Sequence, residues 1–186
     1  LIIFSVEAVI GFSAINVTEG KQDVLYSYKA TPSGTYSVNL KDNNYTDSKT
    51  IGMNKLYISK LVNNINAKFN YQYSGSTEAD LTYTYSVNAN IIGEYQTTDE
   101  LENNEVWNKS YVLVPSETKT LHNELGFTLS KDLVIDYEQY NAIVENFYKE
   151  ISIPMDAYLS VVFKVSVRGV PTSNVGTVNE ESSYEM

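Results

Sequence analysis

The sequence predicts a mainly β fold: an antiparallel, immunoglobulin-like β-sandwich that carries one amphipathic helix over about residues 137–150. Three observations predict it. Leu81, Tyr83, Tyr85, Val87, Ala89 and Ile91 alternate with Thr82, Thr84, Ser86, Asn88 and Asn90, the period of a half-buried strand, and several other runs repeat the pattern. A single stretch, near residue 140, sets its apolar residues at helical spacing throughout. Strands and helices do not take turns in the rhythm of a parallel sheet. The Cys…Trp…Cys spacing of antibody domains is absent, so only the general architecture is implied.

Residues 1–17 read LIIFSVEAVIGFSAINV. Ile2, Phe4, Val6, Ala8, Ile10, Phe12 and Ala14 make an unbroken apolar face, and Ser5, Glu7, Gly11 and Ser13 lie on the other. That is period two, and a strand is the favoured reading. The other reading is the outer end of a membrane anchor or export signal that begins upstream, although Glu7 interrupts the run well before the ~20 apolar residues a span needs. As a strand it pairs within its own domain or inserts into a neighbouring subunit.

Residues 24–30 and 35–41 read as short strands, with Pro32, Ser33 and Gly34 turning between them. Residues 42–49 form a polar loop. A strand starts near Ile65, and the turns before it are ambiguous. Ser74-Gly75-Ser76 makes a hairpin to the strand of residues 81–91. Residues 97–105 are an acidic loop. Residues 106–114 are a strand with Trp107, Tyr111 and Leu113 on one face, and 127–129 a shorter one. Asp136 is placed to N-cap a helix in which Tyr140, Ile143, Val144, Phe147 and Ile151 line one side, and Pro154 stops it. The helix then serves as crossover or lid before a last strong strand at 159–167. The chain divides into an N-terminal apolar strand or anchor end (1–17), a sandwich domain (18–170) and a polar C-terminal tail or linker (171–186).

Composition removes whole classes of function. The chain has 186 residues, enough for one domain of about 100–200 residues. It carries 13 Lys plus Arg against 23 Asp plus Glu, a net charge of −10. Arg168 is its one arginine, so phosphate and base contacts of the usual kind have little to work with and no nucleic acid is expected. With no cysteine there are no disulfides, thiolate metal sites or thiol nucleophiles; with one histidine, His122, no multi-histidine site forms within a chain. Abundant Asn, Ile, Lys and Tyr beside a lone Arg is the bias of an AT-rich genome.

The motifs that resemble chemistry are weak. His122 lacks a nucleophile elbow and reads as an ordinary surface histidine. Ser116-Glu117-Thr118-Lys119 has the S-x-x-K spacing, but Pro115 and a polar run surround it and neither companion motif follows. Asp42, Asn43, Asn44 and Asp47, and Asp99, Glu100, Glu102 and Glu105, are carboxylate clusters without EF-hand spacing, so solvated loops are the reading. The sequons at Asn16, Asn44 and Asn108 are as many as chance provides. Tyr26 and Tyr28, or Tyr71, Tyr73, Tyr83 and Tyr85, are candidates for a sugar-stacking platform, yet they fall on faces assigned to the core. No catalytic, cofactor-binding or metal-binding residue is assigned, and no cofactor.

Several stretches carry a resemblance: FSVEAVIGFS near the start, YSVNLKDNNY (36–45), YISKLVNNINAKFNYQYSGS (57–76), LTYTYSVNANIIGEY (81–95), EVWNKSYVL (105–113) and IDYEQYN (135–141). Together they resemble an uncharacterised family of exported, membrane-anchored proteins from Gram-positive bacteria and archaea. The resemblance implies an N-terminal transmembrane anchor upstream of this chain and an extracytoplasmic, cell-surface β-domain; it supplies no catalytic residues. The expected function is a non-enzymatic domain of a membrane-anchored cell-envelope protein, acting in protein–protein contact or envelope assembly with a protein partner of the envelope. Two alternatives stand beside it: a pilus or fibre subunit that uses residues 1–14 as a donor strand, and a carbohydrate-binding module.

Overall fold

Apolar and polar residues alternate from Ile65 to Tyr73 and again from Ala79 to Ile91, and the backbone joins both runs in one strand. A computed structural model describes residues 7–8, 12–19, 21–96, 103–152, 155–173 and 175–186. Its strands are β1 (Glu7–Ala8), β2 (Phe12–Glu19), β3 (Lys21–Leu40), β4 (Thr50–Gly52), β5 (Val62–Gln96), β6 (Asn103–Asp136), β7 (Asp156–Pro171) and β8 (Val178–Glu185). Helix α1 (Tyr137–Ile151) joins β6 to β7. The described residues are mostly strand with one long helix, and every strand pairing among them is antiparallel, as the periodicity predicts.

β5 is the spine. One edge pairs with β6 from Asn64↔Asp136 to Gln96↔Asn103. Its other edge pairs first with β3, from Leu40↔Val62 to Tyr28↔Gly75, and then with β7, from Ala79↔Pro171 to Glu94↔Asp156. The sheet therefore folds over where β5 passes between those partners. The two halves meet face to face. The Phe69 and Phe163 rings stack with centroids 5.2 Å apart, and Tyr184 of β8 meets Phe69 edge-on and donates its hydroxyl to the Gly34 carbonyl at 3.1 Å. Val38, Val62, Phe69, Val87 and Phe163 are wholly buried between the halves.

The expected hairpin at Ser74-Gly75-Ser76 does not form. The chain continues as one strand through an irregularity in register between Ser74 and Ala79, and the stretches on either side join different neighbours. Gly75 is used for space: a Cβ there would sit 2.9 Å from Tyr26 Cζ. The turn expected at Pro32-Ser33-Gly34 is likewise the middle of β3. Among the described residues, β2 pairs with β3 as far as Lys29 and β4 from Ser37, and none pairs with that edge of β3 at Pro32, where the missing N–H is tolerated. Gly34 lies under Met186 and Tyr184, where a Cβ would find Met186 Cε at 2.5 Å. The strands expected at 106–114 and 127–129 are parts of the single strand β6, which changes direction near Asn123 (φ 52°).

Residues 171–186 are corrected too. Beyond a short connection they form β8, paired with β7 from Val162↔Glu185 to Gly169↔Val178. The segment is polar because only its even-numbered side faces inward. Of the N-terminal segment, Glu7–Ala8 pairs with β8 and Phe12–Glu19 pairs with β3, both within this chain's own sheet; 1–6 and 9–11 lie outside the described residues. So do Pro154 and most of the 97–105 loop, of which Asn103–Glu105 already belongs to β6.

The helix forms where expected. Asp136 accepts from the Gln139 N–H at 3.2 Å, and Ser152 ends the helix in the left-handed region, its N–H donating to the Tyr148 carbonyl. Tyr137, Tyr140 and Val144 are buried against the end of the folded sheet. Among the described residues no helix is long and apolar enough to cross a membrane.

Candidate functional site

The sequence-level candidates scatter. His122 is exposed on β6, its Nδ1 3.2 Å from Asp80 Oδ1. Ser116 and Lys119 are exposed on β6, and three residues of strand put them on opposite faces. Asn43 spends its Oδ1 on the N–H groups of Tyr45 (2.9 Å) and Thr46 (3.1 Å), the chemistry of a turn. Asp42 faces Lys49 at 3.7 Å, both exposed. Asp99, Glu100 and Glu102 lie outside the described residues. Among the described residues no three of His, Cys, Asp and Glu are grouped to hold a metal.

The tyrosines are core. Tyr26, Tyr28, Tyr71, Tyr73, Tyr83 and Tyr85 are each exposed by 6% or less. Tyr28 stacks on Tyr73 at 5.3 Å, Tyr73 on Phe127 at 5.8 Å and Phe127 on Tyr83 at 4.1 Å, a column that crosses from one half of the sheet to the other. Burial pushes the phenols of Tyr71 and Tyr73 well above the ordinary tyrosine range. Where the column reaches solvent, the Lys131 ammonium sits 4.6 Å over the Tyr85 ring, and Tyr85 donates to Glu117. The contact with Tyr85, and then the Glu117 charge, hold the Lys131 ammonium above its ordinary range.

A carboxyl group lies deeper. Glu180 of β8 is 8% exposed and accepts from Tyr28 Oη at 2.6 Å and from Ser182 Oγ at 2.8 Å. Sequence reading missed it. The signal was there in Val178, Glu180, Ser182, Tyr184 and Met186, an alternating set in which polar members hid a buried face. Among the described residues no histidine, cysteine or second carboxylate completes an acid–base pair with it, and its bond from Tyr28 ties the C-terminal strand to β3.

The arrangement with the most to offer a partner is the edge of β6. Among the described residues β6 pairs only with β5, so its other edge is bare along 34 residues. Alternate N–H and C=O groups of such an edge point outward and can receive another strand. Along its first third α1 runs beside it in the opposite direction. Trp107 stacks on Phe147 at 4.2 Å and 5°, and Tyr111 meets Tyr140 edge-on at 5.4 Å. All but Tyr140 are half-buried, and the Tyr111 hydroxyl is buried without a hydrogen-bond partner among the described residues. At the start of this stretch the register sets Glu105 opposite Glu94, and Glu94 opposite Asp156. Tyr158 donates to Glu94 at 3.1 Å; burial first, then Glu94 and its neighbours Glu185 and Glu105, push its phenol up to about 12. Elsewhere the outer face is flat and hydroxylated: Thr84 and Thr118 bond at 2.8 Å, next to a shallow cleft of about 450 Å³ that includes Ser86, Lys164 and Glu181.

No protein-family profile matches the chain, and no curated protein matches it. A solved structure, described as the X-ray structure of Northeast Structural Genomics Consortium target SoR45, is similar at 11% identity over 84% of this chain and 82% of that one, with a TM-score of 0.28. At that score the likeness carries no argument.

Proposed function

We propose that this chain is a non-enzymatic, extracytoplasmic domain of a membrane-anchored cell-envelope protein, and that it works by protein–protein contact. The observation that carries the contact reading is the edge of β6, 34 residues long, with which no described strand pairs. Soluble domains ordinarily cover or shorten such edges, because they recruit other strands. Support for the compartment comes from the resemblance of the strand patterns to exported proteins. An immunoglobulin-like sandwich is the architecture we assign within this reading; the stacking of β3 and β5 on β7 and β8 supports it. Fractionation tests the proposal. Cells producing the full-length chain yield it with the membranes, and protease added outside intact cells digests it. Recovery in the soluble cytosolic fraction, protected from that protease, overturns it.

A further inference from the structure

We propose that the first third of the β6 edge, Asn104–Leu113, is a strand-addition site, and that its occupant is an extended, basic segment of a partner protein with apolar residues at alternate positions. This rests on the protein-contact reading above and names its place and chemistry.

The rest of the edge is defended. Pro115 removes a donor, and Glu117 and Lys119, directly opposite the buried Tyr85 and Tyr83, put charge on the inner side of the strand. Near Asn123 the strand changes direction. Residues 104–113 contain no proline, and their single lysine, Lys109, although directly opposite the buried Ile91, lies 5.5 Å over the Tyr111 ring. Helix α1 supplies the second wall. Tyr140 and Phe147 touch β6, and helical spacing places Gln139, Ile143 and Glu150 on the flank just beyond them. A strand laid against β6 would have backbone partners on one side and an apolar strip of Trp107, Tyr111, Ile143 and Phe147 below.

Charge selects the occupant. The aligned carboxylates of Glu105, Glu94 and Asp156 stand at one end of this stretch and Glu150 is exposed on the helix, in a chain of net charge −10. Like charges directly across a sheet repel, so a segment bringing lysine or arginine beside Glu105 relieves a cost already present. A second copy of this chain would add carboxylates there instead.

The chain's single tryptophan, Trp107, reports on the site. The probe is a capped nine-residue peptide that alternates valine with lysine; its control has glutamate for lysine. The lysine peptide shifts Trp107 emission saturably and slows hydrogen exchange of alternate amides in residues 104–113. Its affinity falls by roughly threefold or more between low and high salt, as an interaction between exposed charges requires. Glu105→Lys weakens the lysine peptide and leaves the fold intact by circular dichroism. No response to the lysine peptide, or an equal response to the glutamate peptide, overturns the proposal. So does concentration-dependent dimerisation that protects the same amides with no peptide present. A chain recovered with membranes that ignores the lysine peptide sinks this inference and leaves the envelope reading standing.

Discussion

Tyr28→Phe isolates the contact by which the C-terminal strand is tied across the core. The substitution removes one oxygen and keeps the ring that stacks on Tyr73. What is lost is the donor 2.6 Å from Glu180 Oε2. Glu180 is 8% exposed, so water does not readily replace that donor, and an oxygen left short of a partner in such a place costs about 1–3 kcal/mol. For a domain of this size each kcal/mol moves the midpoint by about 2–4 °C, so a fall of about 6 °C is the central expectation. Urea unfolding followed by circular dichroism measures the free energy, with Tyr45→Phe, at 85% exposure, as the unaffected control. A double-mutant cycle with Ser182→Ala, whose hydroxyl serves the other oxygen of Glu180 at 2.8 Å, should return a coupling of about 0.5 kcal/mol or more. Midpoints that coincide for Tyr28→Phe and the parent would refute the claim that this pair holds β8 down.

Gly75→Ala destabilises the fold by about 1–3 kcal/mol, because its Cβ meets the Tyr26 ring, whereas Gly52→Ala, with open space around it, is neutral or slightly stabilising; parallel melts of the two variants compare them directly. Asp136→Ala removes the cap from the Gln139 N–H and lowers stability by about 1 kcal/mol, while Asp136→Asn retains most of it. In alkali the sign is set by the buried phenols. Tyr57, Tyr71, Tyr73 and Tyr137 are held neutral above the ordinary tyrosine range by burial, so the unfolded chain loses protons first. Their stabilising effect is whole below pH ~10 and declines above it, by up to about 1.4 kcal/mol per pH unit for each such group. Unfolding free energies that stay level from pH 9 to 12 would contradict that burial.

The helix and the inward faces were legible in the sequence because both are local. Asp136 caps the three residues after it, and a strand's sides are decided two residues at a time, so Leu81 to Ile91 could be sided correctly without knowing what covered them. Continuity was not legible. Ser74-Gly75-Ser76 and Pro32-Ser33-Gly34 have the composition of turns, and nothing nearby in the chain says that Tyr26, Tyr184 and Met186 arrive from far away to fill the space their glycines leave. β8 was hidden for a related reason. Its inward face contains Glu180 and Ser182, and a buried polar face reads as solvent-exposed until the donor on β3 is known.

The bare edge beside α1 stands at the far end of that scale. Period two in residues 106–114 says that a strand exists and which side Trp107 and Tyr111 occupy. It does not say that β5 takes one edge of that strand, that no described strand takes the other, or that Phe147 and Tyr140 settle against it. Residue order by itself determined the β class, the helix and the excluded chemistries, since these depend on composition and on neighbours a few positions apart. Only the tertiary structure decided which edges are paired and which charges line up, since hydrogen bonds between strands join residues whose separation along the chain the local pattern does not encode.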